Sequence, residues 1–365
     1  MNRFVFVSLT ILSLLSVPSI TGLIRTAKAE SGTITINADG SITPSTAPIY
    51  SADNITYNLT DNITSDTDGI NIERNNIVLD GAGYALTGSG SADTIGITTS
   101  TNINNVTARD LTIESFGYGI SLESSSDNAL SINNIANNVY GIWLSSSSND
   151  TLSGNNVAND TFGIILVYSS GDRLSGNDVT ADSNNGISLE SSSDNALSAN
   201  DVTANGNDGI VLESSSNCAL SGNNVTANSN SGIRLDSSSD NNVLSGNNVA
   251  NNNQQGIYLV SSSNCALSGN NVTANGTYGI RLYSASTNTI YDNNFVNNTD
   301  QAYIIDSANV WDNGSVGNYW SDYLTKYPNA TEVDSLGVWN TPYVIDANNT
   351  DYFARARANS FTILS

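Results

Sequence analysis

Residues 209–228 read GIVLESSSNCALSGNNVTAN, and variants of this segment recur along most of the chain. The opening Gly-Ile pair returns every 22 to 24 residues, at Gly119, Gly141, Gly163, Gly186, Gly209, Gly232, Gly256 and Gly279. A fixed period in this range is typical of repeat proteins, in which each unit stacks on the next. The repeat is therefore the first feature that any fold prediction must explain.

Each repeat holds short runs of alternating apolar and polar residues, such as IVLE at 210–213, separated by Gly, Asn, Ser and Asp. Alternation of this kind indicates strands, and the intervening residues indicate turns. A propeller blade needs a longer unit, and a leucine-rich repeat would be denser in leucine. The sequence predicts an all-β, single-stranded, right-handed parallel β-helix of about eleven rungs, where a rung is one full coil of about 23 residues.

Stacked rungs place equivalent residues above one another, so they predict continuous ladders. Three apolar ladders are predicted for the interior. The first follows Ile120 and Ile142, the second Leu122 and Leu144, and the third Leu130 and Leu152. By the same alignment Asp80, Arg109 and Asn133 share one position, with Asp80 and Arg109 as an ion pair.

A polar ladder follows the third apolar one. Asparagine amides can pass hydrogen bonds from one rung to the next, so we interpret these residues as structural and not as ligand contacts. The predicted ladder contains Asn133, Asn155, Asn177, Asn200, Asn223, Asn247, Asn270 and Asn293, with Asn313 continuing it. The serine runs are predicted to be turns, in which an added charge at Ser215 is tolerated.

The chain divides into five predicted segments. Residues 1–29 resemble an export signal, with an apolar run and the small-x-small sequence AKA at 27–29. Residues 30–68 form an N-terminal cap, 69–313 the β-helix, 314–353 an aromatic-rich C-terminal cap and 354–365 a loose tail. No later stretch is apolar enough to cross a membrane. We therefore expect an extracellular, cell-surface or periplasmic protein.

The formal net charge is −23, from 34 acidic and 11 basic residues. Such a charge opposes binding to nucleic acid or to an acidic lipid surface. Polysaccharides and surface proteins remain as candidate partners, and the oligomeric state is left open. Sequons of the form Asn-x-Ser/Thr, for example at Asn54 and Asn224, would carry glycans in an exported chain.

Three motifs carry a family resemblance: NIVLDGAGY at 76–84, GNYWSDY at 317–323 and TPYVID at 341–346. Together with the repeat, they resemble the NosD-like β-helix proteins over residues 33–353. The resemblance implies an exported β-helix, a fold shared with carbohydrate-binding proteins and sugar hydrolases. The family name implies a periplasmic factor that assists maturation of a copper enzyme. Relatives often carry an Asp/Gly-rich loop between the second and third motifs, whereas residues 332–340 read EVDSLGVWN here.

Copper binding by this chain is disfavoured, because copper sites use His, Cys or Met. The sequence has no His, one Met and two Cys. Cys218 and Cys265 occupy equivalent positions two rungs apart, too far for a disulfide. Calcium is the one cofactor that the pattern suggests. Its predicted ligands are Glu190, Glu213 and Asp236, which follow their glycines at the same distance in successive rungs.

The outward positions of the Gly-Ile-x-Leu strands predict a ligand-binding face at Trp143, Tyr258, Tyr283, Arg234 and Arg281. The alternative is that these residues only reflect β-propensity. No catalytic residue is assigned, because no cleft is evident. The sequence therefore favours a cell-surface binding or structural module, with carbohydrate as the suggested ligand. A polysaccharide-active hydrolase or lyase is the first alternative, and a partner-dependent factor for copper-enzyme maturation is the second.

Overall fold

The computed structural model describes residues 28–29, 32–333 and 337–360. Over this part the chain winds into a right-handed parallel β-helix, and each rung adds one strand to each of three long sheets. The predicted fold class is therefore confirmed. Most of the predicted export signal lies outside the described residues. The two residues at the end of that segment, Lys28–Ala29, form a short strand that pairs with Ile63–Thr64 at the start of one sheet.

Sheet 1 contains the Gly-Ile-x-Leu strands. Its first strand pairs antiparallel with its neighbour, and the other strands described in this sheet run parallel. In spatial order the strands are Ile42–Thr43, Ile34–Ile36, Ile70–Ile72, Ile95–Thr99, Tyr118–Glu123, Tyr140–Ser145, Phe162–Val167, Ile187–Glu190, Ile210–Glu213, Ile233–Asp236, Ile257–Val260, Tyr278–Tyr283 and Asp300–Ile305.

Sheet 2 follows the serine turn and also begins with an antiparallel pair. Its strands are Ile49–Tyr50, Thr56–Leu59, Ile77–Asp80, Val106–Arg109, Ala129–Ser131, Thr151–Ser153, Arg173–Ser175, Ala196–Ser198, Ala219–Ser221, Val243–Ser245, Ala266–Ser268 and Thr289–Tyr291.

Sheet 3 completes the rung and runs parallel throughout the described residues. Its strands are Lys28–Ala29, Ile63–Thr64, Ala85–Thr87, Thr112–Glu114, Asn134–Ala136, Asn156–Ala158, Asp178–Thr180, Asp201–Thr203, Asn224–Thr226, Asn248–Ala250, Asn271–Thr273, Asn294–Val296 and Tyr319–Trp320. Within the described chain the β-helix has about twelve rungs. The additional rung includes Ile34–Ile36, which lies in the segment that the sequence assigned to the N-terminal cap.

The interior contains the three predicted apolar ladders and one more. Ile210, Leu212 and Leu220 are fully buried, as are their equivalents in neighbouring rungs. The additional ladder comes from sheet 3 and contains Ile135, Val157, Val179, Val202, Val225, Val249, Val272 and Phe295. Sheet 1 therefore points two rows of side chains into the shared core, and sheets 2 and 3 point one row each.

The recurring glycine is required by close packing at the corner between sheets 3 and 1. A Cβ atom added at Gly209 would lie 2.4 Å from Cγ1 of Val225 and 2.7 Å from both Nδ2 of Asn228 and the carbonyl oxygen of Gly232. Any side chain would therefore force the next rung away. The glycine period that identified the repeat is a packing constraint.

Polar columns follow the three corners of the helix. The 2/3 column, between sheets 2 and 3, contains the eight predicted asparagines and ends at Asn318, not at Asn313, because Asn293 donates to Oδ1 of Asn318. The 1/2 column contains Asn128, Asp150, Asp172, Asn195, Cys218, Asn242, Cys265, Asn288 and Asn309. The 3/1 column, which the sequence analysis missed, contains Asn138, Asp160, Asp182, Asn205, Asn228, Asn252, Asn275 and Asn298.

Two local predictions are corrected by the structure, one by the strand register and one by burial. Arg109 forms the predicted ion pair with Asp80, at 2.8 Å, but it lies beside Ser131 and not Asn133. The 2/3 column instead begins where the backbone N–H of Leu111 donates to Asn133. Ser215 is buried and donates to the carbonyl oxygens of Leu189 and Glu213, so this serine is not a tolerant turn position.

The C-terminal end of the helix is covered by aromatic side chains. Trp320 stacks on Phe295 at 4.7 Å between ring centroids and on Tyr343 at 4.3 Å. The elements in this region are the short helix Tyr323–Lys326, the antiparallel pair Glu332–Val333 and Val338–Trp339, and the hairpin Tyr343–Asp346 with Asn349–Asp351. Trp311, Trp320 and Tyr323 are fully buried, which leaves these rings unavailable to a ligand.

Candidate binding face

The outward side of sheet 1 carries large aromatic, acidic and arginine side chains along much of its length. From Ile95–Thr99 onward its strands have four to six residues and are longer than most in sheets 2 and 3. Alternate side chains point away from the core, so each strand contributes two or three residues to this surface. We call it the outward face of sheet 1.

An aromatic cluster occupies the early rungs of this face. Tyr140 stacks between Tyr118 and Phe162, with ring centroids 4.7 and 5.2 Å away. The half-buried ring of Trp143 packs nearly perpendicular to Tyr118 and Tyr140, at 5.8 and 5.1 Å. Trp143 therefore stands beside the stack of three rings and not within it.

Acidic side chains occupy the middle rungs. Glu213 pairs in register with Glu190 on one side and Asp236 on the other, as the sequence predicts. Burial and the neighbouring Glu213 together raise the pKa of Glu190. Asp236 forms an ion pair with Arg234, which also lies 3.7 Å from buried Asp208. One of the three predicted calcium ligands therefore already has a cationic partner, and in the described chain the three side chains are not grouped closely enough to hold a metal, so calcium binding stays a prediction.

Arginine and tyrosine side chains occupy the late rungs. The guanidinium carbon of Arg281 lies 4.8 Å from the ring centroid of Tyr258, 6.0 Å from that of Tyr278 and 5.9 Å from that of Tyr303. Tyr278 and Tyr303 stack at 4.7 Å. Within the described ranges, Arg281 has no carboxylate at ion-pair distance, and its buried Nε lacks a hydrogen-bond partner.

The predicted ligand-binding residues therefore fall into two groups on one face. Arg234, Tyr258 and Arg281 are neighbours, since the Arg234 guanidinium also lies 5.9 Å from the Tyr258 ring. Tyr283 lies next to them and is 40% exposed. Trp143 belongs to the separate aromatic cluster, five rungs away and so at a distance on the order of 24 Å.

Sequence reasoning missed the aromatic row that immediately precedes the glycines. Tyr118, Tyr140, Phe162 and Tyr278 each stand directly before a repeat glycine, and there the sheet 1 strand begins two residues before the isoleucine. A Tyr-Gly-Ile or Phe-Gly-Ile sequence was the available signal. The prediction started each strand at the isoleucine and therefore overlooked this row.

A cavity of about 590 Å³ lies apart from this face, in the C-terminal region. Val316, Val338, Trp339 and Phe353 are among its lining residues. The walls are mainly apolar and hold no titratable cluster. The cavity therefore has the volume to hold a ligand but few polar or charged groups to bind or transform it.

Ligands for a transition metal are scarce in this chain. The sequence has no histidine. Cys218 and Cys265 are unpaired and buried on either side of Asn242, and burial raises the pKa of both thiols to about 11. In the part of the chain that the structure describes, no three His, Cys, Asp or Glu side chains are grouped closely enough to hold a metal. These residues do not fit a copper centre.

Solved structures with the same architecture include the periplasmic alginate epimerase AlgG and the Dettilon tailspike protein gp208. AlgG is 16% identical, and the match covers 76% of this chain and 85% of that chain with a TM-score of 0.51. The tailspike protein is 16% identical, and the match covers 80% of this chain and 57% of that chain with a TM-score of 0.52. At this identity the likeness shows the fold alone. No curated protein matches the chain.

A family model described as "Periplasmic copper-binding protein (NosD)" matches residues 53–208 and, in a second overlapping match, residues 168–325. The two matches span the whole repeat region and all three polar columns. Among the described helices, none is long and apolar enough to cross a membrane. On the strength of the matched repeats, the chain belongs to the NosD family.

Proposed function

We propose that this protein is an exported binding module that holds a polysaccharide along the outward face of sheet 1, without copper of its own. The observation that carries the proposal is the placement of Trp143, Tyr258, Tyr283 and Arg281 on one face of the β-helix. Aromatic rings offer apolar area to the C–H faces of sugars, and arginine offers several fixed donors.

The shape of the face supports an extended ligand. Its two groups of rings lie about five rungs apart, and successive rungs are separated by roughly 4.8 Å. A linear polymer can contact both groups at once, whereas a small molecule can contact only one. Two weak contacts on one chain give a stronger total binding than either alone, since the second contact becomes intramolecular.

The family description supports location outside the cytoplasm, because it names a periplasmic protein. It also names copper, but the chain lacks histidine and its two thiols are buried and protonated at neutral pH. Any role in copper-enzyme maturation would therefore run through a partner protein.

A screen of the protein against a glycan array tests the proposal, followed by a dissociation constant for the best polysaccharide. We expect Trp143→Ala to weaken that binding by about tenfold or more, because hot-spot aromatic residues contribute about 1–2 kcal/mol or more. Tyr50→Ala is the matched control, since Tyr50 is 61% exposed but lies on sheet 2. Binding to no glycan, or equal losses in both variants, would overturn the proposal.

A polysaccharide-active enzyme is the second candidate, and Asp208 is the observation that favours it. Burial raises the pKa of this carboxyl even though Arg234 lies 3.7 Å away, and raised carboxyl pKa values are common in general acids. The same burial weighs against it, because Asp208 is 1% exposed and a substrate could reach it only after rearrangement. Turnover of the bound polysaccharide that disappears in Asp208→Asn would establish this function.

A further inference from the structure

Four aspartates occupy positions that asparagine fills in other rungs. Asp150 and Asp172 are neighbours in the 1/2 column, and Asp160 and Asp182 are neighbours in the 3/1 column. All four are buried. They lie in the same two consecutive rungs, and we call them the column aspartates.

Hydrogen bonds in these columns run in one direction. In the 2/3 column, Nδ2 of Asn155 donates to the carbonyl oxygen of Leu130 at 2.9 Å and to Oδ1 of Asn177 at 2.9 Å. In the 3/1 column, Nδ2 of Asn205 donates to Val179 and Asn228 in the same way. Each asparagine therefore accepts through Oδ1 and donates through Nδ2, and its Nδ2 faces only acceptors.

The column aspartates reproduce the accepting half of this pattern. Oδ1 of Asp150 accepts from the backbone N–H of Asn128 at 2.8 Å and from its Nδ2 at 2.9 Å. Oδ1 of Asp160 accepts from the N–H and Nδ2 of Asn138. Oδ1 atoms of Asp172 and Asp182 accept from the N–H groups of the preceding aspartates.

The aspartates differ from asparagine at the second side-chain atom, where asparagine has the donor Nδ2. Oδ2 of every column aspartate is buried and has no hydrogen-bond partner among the residues that the structure describes. This oxygen occupies the place of Nδ2: a Cβ atom built at Gly141 would lie 2.7 Å from Oδ2 of Asp160, just as one at Gly186 would lie 2.7 Å from Nδ2 of Asn205. An ionised Oδ2 would face acceptors, whereas a protonated Oδ2 would supply the missing donor.

We propose that the column aspartates are neutral carboxylic acids in the folded protein and act as a pH-sensitive clamp. While protonated, each aspartate donates a hydrogen bond within its column from Oδ2–H, as asparagine does from Nδ2. When it loses the proton to solvent, an unpaired buried charge replaces a donor, and the two rungs loosen.

The charged surroundings favour the neutral form. Asp150 faces Asp172 and is near Asp127, while Asp160 and Asp182 face each other. Within the described part of the chain, no cation lies at ion-pair distance from any of them. Burial raises the pKa of Asp150, Asp160 and Asp172 to about 7 and that of Asp182 to about 8, against the opposing effect of the N–H donors.

The sign of the pH dependence follows from these raised values. An aspartate in the unfolded chain has a pKa of about 3.9. Between that value and the folded values near 7 to 8, the folded protein holds more protons than the unfolded one, so stability falls as pH rises. The contribution of the column aspartates to the free energy of unfolding is complete below about pH 4 and is lost by about pH 8.

The test compares two fourfold variants that each replace four carboxyl groups by amides. In the first, Asp150, Asp160, Asp172 and Asp182 become Asn. In the second, four exposed acids without side-chain hydrogen bonds are made neutral, by Asp110→Asn, Glu123→Gln, Asp194→Asn and Asp306→Asn. The melting temperature of each protein is measured from about pH 5 to about pH 9, the interval over which buried carboxyls of this kind titrate.

We expect the wild type and the surface variant to lose melting temperature as pH rises, and the column variant to lose much less. We also expect the infrared carbonyl band of a protonated carboxylic acid near neutral pH in the wild type and its absence in the column variant. On raising pH, amide protection should fall first in residues 140–182. Equal pH slopes in the two variants, or no carboxylic acid band in the wild type, would overturn the proposal.

Discussion

The inward and outward sides of sheet 1 use the same strands but carry different information. On the inward side, Ile and Leu recur in nearly every rung and are fully buried. On the outward side, equivalent positions change from Ser121 to Trp143, then to Val211, Arg234 and Tyr258. The repetition therefore specifies the fold, and departures from it mark where a ligand can be recognised.

The difference has a physical origin. An inward residue contacts equivalent residues above and below and the other two sheets, so a change in one rung must be accommodated by its neighbours. An outward residue contacts two neighbours and solvent, so it can vary without disturbing the stack. Function is therefore to be sought on the outward side, and the following predictions test this division.

The largest effect is expected from an inward charge. Leu212→Asp places a carboxyl between Leu189 and Leu235 in the fully buried ladder, and we expect a loss of about 4 kcal/mol or more in the free energy of unfolding. Ser214→Asp adds the same charge two residues away at an exposed position and should cost less than about 1 kcal/mol. Chemical denaturation measures both, and equal losses would contradict the inward assignment.

A smaller loss is expected from a break in a polar column. Asn200 accepts from the N–H and Nδ2 of Asn177 and donates to Leu174 and Asn223, so Asn200→Ala leaves several buried groups unpaired. We expect a cost of about 2–4 kcal/mol.

The control for this column is Asn224→Ala, since Asn224 is half-buried on the outer side of sheet 3 and donates to Asp201. Its cost should remain below about 1 kcal/mol. Denaturation curves of both variants give the comparison. A cost for Asn200→Ala as small as that of its control would show that the column contributes little to stability.

Much of the fold was accessible from the sequence because a repeated packing constraint repeats its residues. The period of Gly209 and its equivalents gave the rung, and the Ile and Leu ladders gave two of the three inner faces. The 3/1 column was missed because Asn228 lies in a turn crowded with other Asn and Ser residues, and local composition does not distinguish a buried amide from an exposed one. Ser215 was misplaced for the same reason.

The outward face was only partly predictable. Trp143, Tyr258 and Arg281 stand at alternating strand positions, and their outward direction follows from the period of two. The aromatic row that includes Tyr140 was hidden because the repeat glycine interrupts the alternation. The tyrosine rings around Arg281 come from three different rungs. A sequence alignment assigns each residue to its rung, but it does not give the side-chain conformations that bring the rings and the guanidinium together.

The smallest effect concerns calcium on the acidic strip. Glu190 and Glu213 lie side by side and repel, so calcium should raise the melting temperature slightly, while solvent and the Arg234–Asp236 ion pair weaken the effect. The combined substitutions Glu190→Gln, Glu213→Gln and Asp236→Asn should abolish this rise. A thermal melt with and without calcium measures it. If the triple variant keeps the full response, the strip is not the site.

The most direct test of the difference between the inward and outward sides replaces the large outward side chains by serine, which other repeats carry at the same position. In a triple variant, Trp143, Tyr258 and Arg281 become Ser, which occupies the same outward position at Ser121 and Ser188. The measurement is the dissociation constant for the polysaccharide found by glycan screening, with the melting temperature taken on the same samples. We expect binding to fall by more than about tenfold, a loss above 1.4 kcal/mol, with the melting temperature nearly unchanged. Undiminished binding in a folded triple variant would contradict the account.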